Sequence, residues 1–213
     1  MKKKTETLLA LLNGQPVIPV LKIDDLAQAV PLARALVNGG LPAIEITLRT
    51  PVALEALRAV SREVPEAIVG AGTILSGEDF NNAVAAGAKF IVSPGSTAEL
   101  LDTADRSDVP FLPGAATPSE IMALKARGYE ILKFFPAEQS GGAPFLKALA
   151  SPLAGVRFCP TGGISLKNAG DYLTLPNVIC VGGSWVAPDA DLKNGNWTRI
   201  EELAREAAGL RKG

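Results

Sequence analysis

Two charged side chains stand where a charge is expensive. Lys133 interrupts the apolar run 131-ILKFFP-136, and Glu45 interrupts 43-AIEIT-47. An ammonium or a carboxylate is costly to take out of water unless it is paired, and an unpaired buried lysine tends to lose its proton instead. The two residues therefore carry two readings: a buried ion pair, which alone says little, or an amine and a carboxylate kept for chemistry. The chain has no histidine. That removes the Ser-His-Asp triad, the Cys-His pair and His-ligated zinc, and leaves proton transfer to carboxylates, lysine, tyrosine or water. No metal site is expected, an all-oxygen magnesium site being the one that composition leaves open.

Further residues fall at the ends of apolar runs. Thr73, Pro94 and Thr161 each close one, and 161-TGGIS-165 and 182-GGSW-185 follow the last two. Gly162, Gly163, Gly182 and Gly183 let the backbone approach an anion closely, and Ser184 adds a hydroxyl; a lone Gly-Gly is usually a turn, but these are two. Arg49 reads either as a solvated charge or as a planar fork for a carboxylate. Lys22 reads either as a rim cation or as a solvated charge. Cys159 and Cys180 read as small buried residues.

The elements that must position these groups are eight short apolar runs ending near 22, 47, 72, 94, 114, 135, 161 and 183, separated by amphipathic helical patterns. Their spacing of about 20 to 26 residues is that of one strand, one helix and their loops. Asp24 or Asp25, Thr50 before Pro51, Ser76, and Thr117 before Pro118 are placed as N-caps. Gly39/Gly40, Gly87 and Gly128 are placed to close helices. An early G-x-G-x-x-G turn, which an open doubly wound sheet would favour, is absent, so the pattern predicts an α/β fold: a (β/α)₈ TIM barrel with an extra N-terminal helix, as one domain over 1–213. In such a barrel side chains alternate between interior and helix layer. Ile44, Ile46 and Leu48 make the greasy face of the second strand, which leaves Ala43, Glu45, Thr47 and Arg49 on the inward parity. In the sixth, Leu132 and Phe134 share one face and Ile131, Lys133 and Phe135 the other. Glu45 and Lys133 are both assigned to the barrel interior. In a barrel the loops after strands seven and eight, here the two Gly-Gly segments, are a frequent phosphate site.

Composition fits small-molecule chemistry. Apolar residues make up 47% of the 213-residue chain and aromatics 5%, and the net charge of -1 leaves no basic stripe for nucleic acid. No apolar run approaches the roughly 18 residues of a membrane span. The start MKKKTETLLALLNG has too short an apolar run for a signal peptide and reads as an amphipathic helix. Two cysteines make no disulfide framework. A cytoplasmic protein is expected.

The stretches 44-IEITLRT-50, 68-IVGAGT-73, 92-VSPG-95, 132-LKFFPAE-138, 158-FCPTGGIS-165 and 181-VGGSW-185 resemble the 2-keto-3-deoxy-6-phosphogluconate aldolases, class I enzymes of the Entner–Doudoroff pathway, over about residues 16–207. The resemblance implies a homotrimeric barrel without a cofactor, acting on a phosphorylated keto acid and, as many members do, on 4-hydroxy-2-oxoglutarate. It implies Lys133 as the Schiff-base lysine and Glu45 as the general base. It implies Arg49 and Thr73 on the pyruvate carboxylate, Pro94, Phe135 and Thr161 lining the site, and Gly162, Gly163, Gly182, Gly183 and Ser184 on the phosphate. Burial among aromatic and aliphatic neighbours would then disfavour the ammonium of Lys133 and leave free amine to attack a ketone. The rivals are an aldolase for the galactonate epimer, a phosphosugar isomerase or synthase, and a catalytically silent scaffold.

Overall fold

A computed structural model describes residues 2–12 and 14–210; Met1, Asn13 and 211–213 of the expected 1–213 unit lie outside them. Parallel strands β1 (Val17–Leu21), β2 (Ala43–Thr47), β3 (Ile68–Gly72), β4 (Phe90–Val92), β5 (Phe111–Leu112), β6 (Gly114–Ala115), β7 (Ile131–Phe134), β8 (Arg157–Pro160) and β9 (Val181–Gly183) form two ladders, ordered β5-β4-β3-β2-β1-β9 and β6-β7-β8. β5 and β6 are one stave interrupted at Pro113, which has no N–H to give a ladder. Its carbonyl still accepts from Lys133 N at 2.9 Å. The ring closes between β8 and β9, where Ile179 N donates to Phe158 O at 3.0 Å and Thr161 bridges Gly182. Among the described residues this is a (β/α)₈ barrel of eight staves.

The helices are α1 (Lys2–Leu12), α2 (Ala29–Asn38), α3 (Ala53–Glu63), α4 (Gly77–Ala85), α5 (Ala98–Arg106), α6 (Pro118–Ala126), α7 (Gly142–Leu149), α8 (Ala169–Leu173), α9 (Asp189–Lys193) and α10 (Trp197–Ala208). Ser76 and Thr117 each close a reciprocal capping box, with Asp79 and Glu120. Asp25 caps a short 3₁₀ turn ahead of α2. Thr50 does not cap α3. Its hydroxyl donates to Ile23 O at 2.6 Å, and the helix starts only after Val52. Gly40, Gly87 and Gly128 take left-handed φ, whereas Gly39 does not. The five-residue α9 is an element that the periodicity did not announce.

Alternation along the staves creates two apolar layers. Ile44, Ile46, Leu132 and Phe134 pack outward against helix residues such as Leu32, Leu36 and Leu57. Ile18, Ala43, Phe90, Val92, Leu112, Ile131 and Cys159 fill the barrel, closed by Leu8 and Leu12 of α1. Each such buried leucine contributes about 1.5–3 kcal/mol. Lys4 pins α1 by donating to Ala104 O at 2.8 Å and Asp105 O at 3.0 Å. These carbonyls end α5, where a cation is favoured. Apart from Gln15, whose amide binds Val17 O and the Ala43 backbone where β1 and β2 begin, the polar groups gather toward the C-terminal ends of the strands.

Candidate active site

Glu45 and Lys133 meet inside the barrel. β2 and β7 bring them there from opposite sides of the ring, with Glu45 paired to Val20 and Gly70, and Lys133 to Gly114 and Cys159. Lys133 Nζ lies 3.4 Å from Glu45 Oε1, and each side chain is 4% exposed. That separation is at the long limit of a hydrogen bond. The amine is therefore near its carboxylate without being gripped by it. Lys133 Nζ also lies 5.3 Å from the centre of the Phe135 ring, a cation–π distance. Space for the carboxylate comes from Gly72: a Cβ there would sit 2.6 Å from Glu45 Cγ and closer still to its Oε1. Only a residue without a side chain lets β3 pass so near.

Arg49 follows β2 on the rim, and its Nε donates to Thr73 Oγ1 at 3.0 Å. Its terminal amino groups have no partner among the described residues, so the outer edge of the fork is free for a planar anion. Thr73 has φ +58. A β-branched residue in the left-handed region costs on the order of 1–3 kcal/mol and persists only where neighbours enforce it. Here the neighbours are Leu48 N on Gly72 O at 2.8 Å and Ile74 N on Val92 O at 3.2 Å.

The loop after β8 turns its carbonyls away from the mouth. Thr161 O accepts from Ala137 N at 2.8 Å, Gly162 O from Glu138 N at 3.1 Å, and Gly163 O from Asn168 Nδ2 at 3.1 Å. With φ +103 and +75 at Gly162 and Gly163, the N–H groups of Gly163 and Ile164 have no partner among the described residues, while that of Gly162 faces Gly182 O in the closing bridge. Successive free N–H groups of this kind form an anion-binding concavity. Across from it a Cβ on Gly182 would strike the Thr161 hydroxyl, and one on Gly183 the Trp185 ring.

A cavity of about 310 Å³ opens here, lined by Arg49, Phe135, Thr161, both Gly-Gly pairs and Ser184. Phe135 joins it to the Lys133–Glu45 pair. Thr73 reaches it only through Arg49. Pro94 does not line it: this proline borders a separate depression with Ile74, Leu75 and Gly95. Its carbonyl lies against Gly114, opposite Lys133, leaving no room for a Cβ. Lys22 does line the cavity, half-exposed and held by Asp24 at 2.7 Å. Asp189, Ile164 and Leu192 also line it; sequence reasoning missed them, because an Asp after Pro188 reads as nothing more than a helix start. No group of three or more Cys, Asp or Glu side chains among the described residues is placed to hold a metal ion.

The family described as KDPG and KHG aldolase matches residues 9–203. A 2-dehydro-3-deoxy-phosphogluconate aldolase of Dickeya dadantii is 51% identical over 92% of each chain. A KHG/KDPG aldolase of Escherichia coli is 48% identical over 97% of each. A solved KDPG aldolase of Legionella pneumophila, with pyruvate captured at low pH as a covalent carbinolamine intermediate, superposes with a TM-score of 0.92 at 48% identity, covering 94% of this chain and 97% of that one.

Proposed function

The chain belongs to the KDPG and KHG aldolase family, and from that premise we propose that it is a class I aldolase working through a Schiff base on Lys133. The reaction is cleavage of 2-dehydro-3-deoxy-6-phosphogluconate to pyruvate and glyceraldehyde 3-phosphate, and 4-hydroxy-2-oxoglutarate is a second substrate, cleaved to pyruvate and glyoxylate. The observation that carries the reading is the buried amine 3.4 Å from a buried carboxylate, beneath a rim of unpaired backbone N–H groups. A phosphosugar isomerase would need the rim but not the amine.

In the cleavage direction the free amine of Lys133 adds to the ketone carbon, and loss of water gives an iminium. Glu45, through a water, takes the proton of the fourth-carbon hydroxyl while the bond between the third and fourth carbons breaks. The released pair is held by the iminium as an enamine, and the aldehyde departs. Glu45 then returns a proton to the enamine carbon, and hydrolysis frees pyruvate and the amine. Arg49 and Thr73 hold the pyruvate carboxylate, and Phe135 and Thr161 shape the walls. Gly162, Gly163, Gly182, Gly183 and Ser184 hold the phosphate. The iminium serves as electron sink, so the scheme uses no cofactor and no metal.

The catalytic unit is the single domain 1–213, acting as a homotrimer in the cytoplasm. Exposed Leu75 and Met122, at 62% and 60%, are side chains that subunit contacts would cover. Cys159 and Cys180 are buried and form no disulfide, and no described helix is long and apolar enough to cross a membrane. The gluconate epimer is preferred over the galactonate one, in keeping with the names of the relatives.

Incubation with pyruvate and borohydride tests the reading. Mass spectrometry is expected to place one reduced pyruvate adduct on Lys133, in the peptide that starts at Gly128. No adduct, or an adduct on Lys22, Lys89 or Lys125, would overturn it.

A further inference from the structure

Behind the anion-binding loop stands a polar contact that the aldol chemistry does not use. Glu138 follows β7 by four residues, and its carboxylate Oε1 accepts a short hydrogen bond from the Tyr172 hydroxyl. Tyr172 comes from α8 and is 1% exposed. Burial, and then the Glu138 carboxylate, hold its phenol above the ordinary tyrosine range. The hydroxyl therefore stays a donor.

The same glutamate touches the loop twice. Its backbone N donates to Gly162 O at 3.1 Å. Its Cβ and Cγ lie 2.8 and 2.6 Å from where a side chain on Gly163 would begin, so it packs flat against that glycine. Segment 135–138 thus runs from the end of the Lys133 strand directly into the back of the loop, and Tyr172 anchors its far end to α8.

We propose that Glu138 and Tyr172 form a positioning pair that fixes the phosphate-binding loop 161–164 at a set height above Lys133. The proposal rests on the reading of that loop as the phosphate seat. Neither residue touches the reacting atoms. The pair holds the free N–H groups of Gly163 and Ile164 in register, so a phosphorylated substrate meets them without reorganising the loop. Pyruvate, which has no phosphate, does not depend on it.

Tyr172→Phe keeps the buried ring and removes the donor; Glu138→Ala removes the acceptor at an exposed position; Glu138→Gln keeps an acceptor oxygen. Far-UV circular dichroism checks that each variant is folded. Calorimetric titration with inorganic phosphate and KM for the phosphorylated substrate are expected to weaken about tenfold in Tyr172→Phe and Glu138→Ala. Glu138→Gln should recover most of that loss. Deuterium exchange into the pyruvate methyl group should stay within about twofold of wild type in all three. Unchanged phosphate affinity and KM in both disrupting variants, or exchange falling in step with cleavage, would overturn the pair's role. Phosphate binding is read without turnover, so this result is independent of whether the wild-type chain traps pyruvate.

Discussion

Gly72→Ala should disable proton transfer without touching either Lys133 or Glu45. Gly72 is a strand residue outside the left-handed φ region, so alanine fits the backbone. The three nearest atoms all belong to Glu45. The new methyl would stand 2.6 Å from Glu45 Cγ and 2.5 Å from Cδ, where unbonded carbons rest at about 3.5–4.0 Å, so the carboxylate must retreat by roughly 1 Å. A shift of that size is large against the 3.4 Å between Oε1 and Lys133 Nζ and breaks the alignment of the pair. A misplacement of about 1 Å costs on the order of 10²-fold in rate, roughly 2.7 kcal/mol of barrel-imposed alignment. Proton NMR of the pyruvate methyl group in deuterium oxide measures the step directly, and borohydride trapping counts iminium formed. Exchange is expected to slow about 100-fold while trapping stays within about threefold. In a Glu45→Gln background the same methyl should add little, since no base is left to displace. Wild-type exchange in Gly72→Ala, or a full additive loss in the double variant, would refute the reasoning.

Glu45→Gln keeps the volume and removes the base, so exchange and aldol cleavage should fall about 10²- to 10⁴-fold while pyruvate is still trapped; losses of only a few-fold would make Glu45 a structural partner of Lys133. Activity should survive dialysis against EDTA, and loss restored by a divalent ion would sink the Schiff-base scheme. Leu12→Ala empties part of the plug under the barrel, where Leu12 is fully buried, and chemical denaturation should report a loss of about 2–5 kcal/mol. Glu120 is held below the ordinary carboxylate range chiefly by the Ala116 N–H, with the Thr117 hydroxyl and N–H adding to it and burial opposing. A lowered folded-state value means that its stabilisation is present at neutral pH and lost as pH falls. Glu120→Ala should therefore melt below wild type at pH 7, with the gap closing below about pH 4; a gap independent of pH would mean that the charge plays no part.

What the sequence disclosed follows from which interactions are local. The stave ends and the interior parity were legible because a charge inside an apolar alternation has only one side to go to, as Glu45 between Ile44 and Ile46 and Lys133 between Leu132 and Phe134 make plain. The N-caps at Ser76 and Thr117 were legible because a cap acts within one helical turn, whereas the Asp79 and Glu120 halves of their capping boxes emerged only in the structure. Thr50 was misread for the same reason: it looks like a cap locally, but its hydroxyl is taken by Ile23, 27 residues away. Pro94 was grouped with the pocket wall by resemblance, whereas its side chain borders a neighbouring depression and its carbonyl backs Gly114. The break at Pro113, the role of Gly72 and the Glu138–Tyr172 contact were hidden because each depends on a different stave or helix arriving alongside.

This division has a physical consequence for how the site tolerates change. The legible residues, Lys133 and Glu45, carry the reactive groups, and replacing them removes chemistry outright. The hidden ones hold those groups in place: Gly72 by lacking a side chain, and Asn168 by tying Gly163 O down from outside. Their failure changes distances by an ångström or less. Because the Lys133–Glu45 separation already sits at the edge of hydrogen-bonding range, small displacements there act on rate far more than on stability. A screen for folded but slow variants should therefore return to β3 and the loop after β8 more often than to the apolar fill beneath, where the same loss of volume lowers stability first.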